Sequence, residues 1–263
     1  MRSRIGLVAL ITMMLTAAAA CGSGMSGRSS SPVGPPTADP QVKTMAAATA
    51  APTSPKQVRA GFEQLLGLHA LLAVRQMRSV VAAAPEFGQV AGVSLQENTD
   101  ALSGLVASAY GGTQADRFQT LWQRHLSDLV AYAKGVAATN TSATKTTRAA
   151  LLADANTYGS WLAGASKGRV RASDAAAGVR MHVEELMQQA DAYAAKDYTQ
   201  AYRLERTAYE HMFSAGAGLA KASVIPEVAV GLDAPPEKLR SAFAMLLGVD
   251  DQFHVLAQQH GKG

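Results

Sequence analysis

The sequence predicts an all-α protein, a six- to seven-helix bundle built from a repeated three-helix unit and preceded by a disordered tether. Two observations carry the prediction. From Pro55 onward the chain is rich in Ala, Leu, Gln, Glu and Arg, with apolar residues three and four apart and no segment of strand-like alternation. Proline and glycine are confined to a few breaks, which divide this stretch into helix-length pieces.

Ser54-Pro55-Lys56-Gln57 reads as a capping box with proline at the first helical position, and Leu65, Leu66, Leu68, Leu72 and Ala73 continue one apolar face. Ala84-Pro85 ends that helix. A second runs from about Glu86 to Tyr110 and stops at Gly111-Gly112. Thr113, with Asp116 three residues on, is expected to cap a third that reaches about Ala138. Helices four to six follow over about 144–165, 172–195 and 198–222. A break at Pro226 and the pair Pro235-Pro236 then introduce a seventh, over about 237–259.

Internal repetition is the most informative pattern. A shift of 86 lays Thr113, Gln114, Ala115, Arg117 and His125 on identical residues at Thr199, Gln200, Ala201, Arg203 and His211. A shift of 181 lays Pro55, Arg59, Phe62, Leu65, Leu66, Gly67 and Val74 on Pro236, Arg240, Phe243, Leu246, Leu247, Gly248 and Val255. Residues 55–140 therefore read as one unit, 141–226 as a second, and 235–259 as the opening helix of a third. A stack of helical hairpins would bury the same faces, and a bundle is the preferred arrangement.

The N-terminal part is of another kind. Arg2 and Arg4 precede an apolar run from Ile5 to Ala20, the layout of a signal peptide over 1–20. The run is too short to span a bilayer comfortably. Residues 21–54 are Ser-, Pro- and Ala-rich, with Pro32, Pro35, Pro36, Pro40 and Pro52 and few large apolar side chains, so they read as a tether. Loss of Arg2 and Arg4 lowers the formal charge from +4 to +2, too little and too mixed to argue for nucleic acid. Cys21 is the single cysteine, which excludes an intramolecular disulfide and any cysteine-built zinc or iron–sulfur site. Ala18-Ala19-Ala20-Cys21 resembles a bacterial lipobox, with alanine at position 18 where that pattern usually has leucine. The resemblance implies lipid on Cys21, palmitate among its acyl chains, and attachment to the cell membrane on its extracytoplasmic face.

Four histidines stand among apolar neighbours at helical spacing: His69 near Leu65, Leu66 and Leu72; His125 near Leu121, Trp122 and Leu129; His182 between Val179 and Leu186; His211 between Ala208 and Ala215. All four are expected to face inward. Neutral imidazoles converging from several helices suit copper, zinc, iron or a haem. Repetition strengthens that reading, because His125 and His211 occupy matching places and a shift of 84 sets Asn98 opposite His182. A shift of 86 from His69 falls on Ala155, flanked by Asp154 and Asn156. Asn98 and Asp154 are thus expected as polar core residues. A hydrogen-bonded polar layer with no ligand would produce the same pattern.

Known chemistries are mostly excluded by spacing. The paired Glu-x-x-His of ferritin-like di-iron sites and the His-x-x-x-His and His-x-x-x-Glu of hemerythrin-like ones do not occur. Neither does a glycine-rich phosphate loop, a His-Glu-x-x-His zinc motif or a Gly-x-Ser-x-Gly elbow. Met181 beside His182 and Met212 beside His211 would suit copper, yet consecutive helical residues point about 100° apart, so core methionine is the better reading. Tyr193, Tyr198, Tyr202 and Tyr209 would line a pocket or pack with their hydroxyls at the bundle's edge. Glu184-Glu185 with Arg203, Glu205, Arg206 and Glu210 reads as a solvated, salt-bridged face.

The segments Leu65-Leu66-Gly67-Leu68-His69, Leu121-Trp122-Gln123-Arg124-His125 and Ala208-Tyr209-Glu210-His211-Met212 are similar to stretches of uncharacterised exported helical proteins of Gram-positive bacteria, some labelled copper amine oxidase. The resemblance covers about residues 55–222 and carries over no catalytic residue. The expectation is a non-enzymatic cell-envelope lipoprotein that holds a transition metal or haem through some of His69, His125, His182 and His211. The alternative is a structural lipoprotein whose partner is another envelope protein.

Overall fold

The structure, a computed structural model, describes residues 54–260 and is all-helical there. The signal peptide, Cys21 and the tether lie outside the described residues. Eight helices follow in order: α1 (Pro55–Val81), α2 (Pro85–Tyr110), α3 (Gly112–Ala137), α4 (Thr141–Ala165), α5 (Ala172–Ala194), α6 (Tyr198–Ser223), the short α7 (Pro226–Leu232) and α8 (Pro235–His260). Among the described residues no helix is long and apolar enough to cross a membrane.

α1 is the central helix. It packs against α2, α3, α5 and α6, which a linear stack of hairpins would not allow. Its sequence explains the position: Phe62, Leu66, Ala70, Ala73, Val74 and Met77 are buried at spacings of three and four, and His69 lies among them. Glycine lets α6 approach. A Cβ at Gly216 would lie 2.4 Å from the Glu63 nitrogen and 2.6 Å from the Phe62 carbonyl carbon, so the close crossing of α1 and α6 requires the missing side chain.

Helix starts follow side-chain caps in part. Ser54 accepts from the Gln57 amide, Asn140 from the Ala143 amide and Asp197 from the Gln200 amide. Thr113 does not cap α3 as expected; Gly111 occupies that place without a side-chain bond, and the helix starts one residue before Thr113. Asn140 starts α4 at Thr141, ahead of the expected 144. Pro226 is not only a break: the chain after it forms α7, because proline suits a first helical turn.

The ends of α1, α3, α4 and α5 share a device. Each is followed by a non-glycine residue in the left-handed region, Ala83, Thr139, Lys167 and Lys196, at φ of 53°, 51°, 53° and 62°. The next amide then reaches back to close the last turn, as from Asp197 to the Ala192 carbonyl at 2.9 Å.

A buried charge cluster ties α8 to α1. Glu63, 1% exposed, accepts from Arg59 at 2.7 Å, from Arg240 at 3.0 Å and from Ser241 at 2.8 Å. Arg59 also donates to the Leu232 carbonyl at the end of α7. Arg59 and Arg240, aligned by the shift of 181, thus meet on one carboxylate. The aligned phenylalanines differ in environment: Phe62 is fully buried and Phe243 is 57% exposed, since among the described residues no further helix covers α8.

Candidate metal centre

Three helices each turn one imidazole into the same place. On α1, His69 shares the apolar face of Leu66 and Ala73; on α3, His125 follows Trp122 by three residues and precedes Leu129 by four; on α5, His182 precedes Leu186 by four. All three are 3% exposed or less. Their ring centroids form a nearly equilateral triangle, 5.5 Å from His69 to His125, 5.4 Å from His69 to His182 and 5.7 Å from His125 to His182. One ring nitrogen from each lies within 4.8 Å of the other two.

Within the triangle, Nε2 of His69 and Nε2 of His182 are 3.4 Å apart. Three other ring nitrogens have no partner. His69 Nδ1, His125 Nε2 and His182 Nδ1 are buried with no hydrogen-bond partner among the described residues. Aromatic rings pack against the imidazoles: Trp122 lies 4.4 Å from His69 and 5.6 Å from His125, Phe118 packs on Trp122 at 4.9 Å, and Tyr158 meets His125 edge-on at 6.3 Å.

Burial keeps these rings neutral. It lowers His125 to about 4. Burial first, and then the charge that His125 would carry, hold His69 well below 6.5. His182 is likewise held well below, by burial and then by His69, His125 and His211. A neutral imidazole offers a lone pair, so all three are in the ligand-competent form at neutral pH.

His211, the fourth expected ligand, is not in the triangle. Its ring lies 6.4 Å from that of His182, and its Nδ1 is 3.0 Å from Glu185 Oε2. The repeat-related His125 and His211 therefore occupy unlike environments, one inside the core and one at the edge of it. Asn98 is buried and donates to the Leu65 carbonyl at 3.0 Å. Asp154, also buried, pairs with Arg124 at 2.9 Å. Both lie outside the three-histidine group.

Several polar residues sit elsewhere than expected. Glu185 is not on a solvated face, because three residues after His182 it shares that ring's side of α5 and reaches His211. Glu205 is buried at 7% exposure and pairs with Arg78 at 2.9 Å. Arg78 in turn stacks over Tyr193 and Tyr202, 5.2 Å and 4.5 Å from their centroids, so those tyrosines wall a buried charge. Tyr209 packs with Leu71 and Phe213 and donates to the Met245 carbonyl. Met181 is 50% exposed, whereas Met212 is buried.

A cavity of about 310 Å³ opens beside the triangle between α4, α5 and α6. His182, His211, Tyr158 and Met212 reach it, and the rest of its wall is mostly apolar. Tyr158 was not singled out from the sequence, since a tyrosine at helical spacing in an Ala-rich segment carries no mark of a site.

No protein-family model, curated protein or solved structure matches the chain.

Proposed function

We propose that this chain is a metal-binding module of the cell envelope in which His69, His125 and His182 hold one transition-metal ion. The observation that carries the reading is the convergence of three buried imidazoles, one ring nitrogen of each within 4.8 Å of the other two. An ion at the centre would engage one nitrogen of each ring.

The spacing supports a bare ion. Two nitrogens bound at about 2.0–2.1 Å to one tetrahedral ion sit about 3.4 Å apart, the observed separation of the His69 and His182 Nε2 atoms. The ligand class favours zinc or copper, both well suited to imidazole, and three protein ligands leave a fourth position free. Haem fits less well: its iron takes at most two imidazoles, from opposite faces of a wide macrocycle, whereas three rings meet here with Trp122 packed 4.4 Å from His69. The envelope address rests on Arg2, Arg4, the apolar run and the Ala18–Cys21 lipobox.

The 3.4 Å contact between His69 and His182 also favours a second reading, a hydrogen-bonded polar layer that specifies the core. Equilibrium dialysis of the purified chain against zinc and copper separates the two. One ion per chain, lost in a His69→Ala, His182→Ala double variant, supports the metal module; no uptake of either ion leaves the polar layer.

A further inference from the structure

α8 is apolar on two sides. On the inner side Arg240 and Ser241 hold Glu63, and Ala244 and Met245 pack on the small cluster of Leu71, Tyr209 and Phe213. On the outer side Leu239, Phe243, Leu246 and Leu247 share about 100° of arc and are 57% to 64% exposed. Ile225, just before α7, and Val230 within it add exposures of 58% and 75%. A surface helix ordinarily turns polar residues outward, so an outward apolar stripe marks a surface that something covers. At the matching places of the repeat, Phe62 and Leu66 of α1 are in the core, at 0% and 3%, where α8 has Phe243 and Leu247.

The place of the stripe points to its cover. Residues 22–53, which lead from Cys21, join the described chain at Ser54. Two residues on, Lys56 pairs with Glu237 in the first turn of α8 at 2.9 Å, and Arg59 reaches the end of α7 through the Leu232 carbonyl and Asp233. The chain from Cys21 therefore enters where α7 ends and α8 begins. The other exposed apolar stripe, Phe87, Val90 and Val93 of α2, starts where Gly88 meets Ser79, about 35 Å further along α1. Of the described carboxylates at the entry end, Glu237 is held by Lys56 and Arg240, and Asp233 by Arg59 and Lys221.

We propose that the outer side of α8, with Ile225 and Val230, lies on the lipid surface to which Cys21 tethers the chain, as a helix in the plane of the membrane interface. Even fully extended, residues 22–53 reach no further than about 120 Å, which keeps the stripe in the neighbourhood of that surface. Lipid on Cys21 belongs to the envelope address of the proposed function, so this role rests on that reading and not on the metal.

Vesicles of phosphatidylethanolamine and phosphatidylglycerol, sedimented with the mature chain carrying Cys21→Ser, test the face without its lipid. Saturable binding that persists in high salt is expected, weakened at least about tenfold in Phe243→Glu and in Leu246→Glu. Phe87→Glu, the same change of charge at a comparably exposed ring on α2, should leave it unchanged. All three side chains are more than half exposed, so the melting temperature should hold. No vesicle binding, an equal loss in Phe87→Glu, or self-association of the chain that Phe243→Glu abolishes would each overturn the proposal, the last by making a second copy the occupant. Mass spectrometry of Cys21 in the full chain tests the address separately: lipid there without vesicle binding retires this role alone, and vesicle binding without lipid retires the address alone.

Discussion

Acid should unfold the metal-free protein through its three central histidines, and the slope is calculable. In the unfolded chain each imidazole takes up its proton near pH 6.5. In the folded chain His125 does so only at about 4, and His69 and His182 stay well below their ordinary value. Above pH 6.5 the rings are neutral in both states and add no pH dependence. Below it the unfolded state holds more protons, so stability falls as pH falls, by about 1.4 kcal/mol per pH unit for each ring and about 4 kcal/mol for three. The His125 share runs from pH 6.5 down to about 4 and levels off after a loss of about 3 kcal/mol. Glu205, raised by burial, works in the opposite direction, and it cancels when two chains that both contain it are compared. Urea unfolding of the metal-free chain and of His125→Leu at pH 7.5, 6.5, 5.5 and 5.0 should give lines of different slope, the variant losing about 1.4 kcal/mol less per pH unit below 6.5. Parallel lines would refute the claim that His125 is neutral and buried in the folded state.

Three further outcomes follow from the packing. Glu205→Ala should cost about 3–5 kcal/mol in urea unfolding, because Arg78 is left buried and unpaired between Tyr193 and Tyr202, while Arg78→Met combined with Glu205→Leu should cost clearly less. Gly216→Ala should destabilise by about 1–3 kcal/mol or more, since its Cβ would run into the α1 backbone at Phe62 and Glu63; Gly104→Ala, where a Cβ meets nothing, should be neutral or gain up to about 1 kcal/mol. Lys196→Gly should raise the melting temperature, relieving up to about 1–2 kcal/mol of left-handed strain at φ 62°.

Helix existence was legible from residues 55 onward because the apolar face of α1, from Phe62 to Met77, has one period throughout and its ends are marked by Ser54 and Pro85. Helix ends elsewhere were harder to place. The left-handed residues after α3, α4 and α5 are Thr139, Lys167 and Lys196, none of which announces a turn as glycine would. His69, His125 and His182 were each readable as inward-facing, but periodicity says which face a residue occupies and nothing of which faces meet. Separating them from His211 needed the relative rotation of α5 and α6, set by packing between distant segments. Glu185 carried a usable signal, its place three residues after His182, which its acidic neighbour Glu184 obscured. Glu205 and Arg78 had no such signal, since a buried pair from α1 and α6 looks in sequence like two ordinary surface charges.

The central claim is that three imidazoles share one ion, and calorimetric titration of the metal-free chain with zinc or copper at pH 7.5 tests it most directly. The account predicts one ion per chain, with proton release close to zero because the rings are already neutral, and loss of that site in His125→Ala, in His69→Ala and in His182→Ala, but its retention in His211→Ala. Binding that needs His211 but survives the loss of His125, or no stoichiometric binding of either metal, would contradict it.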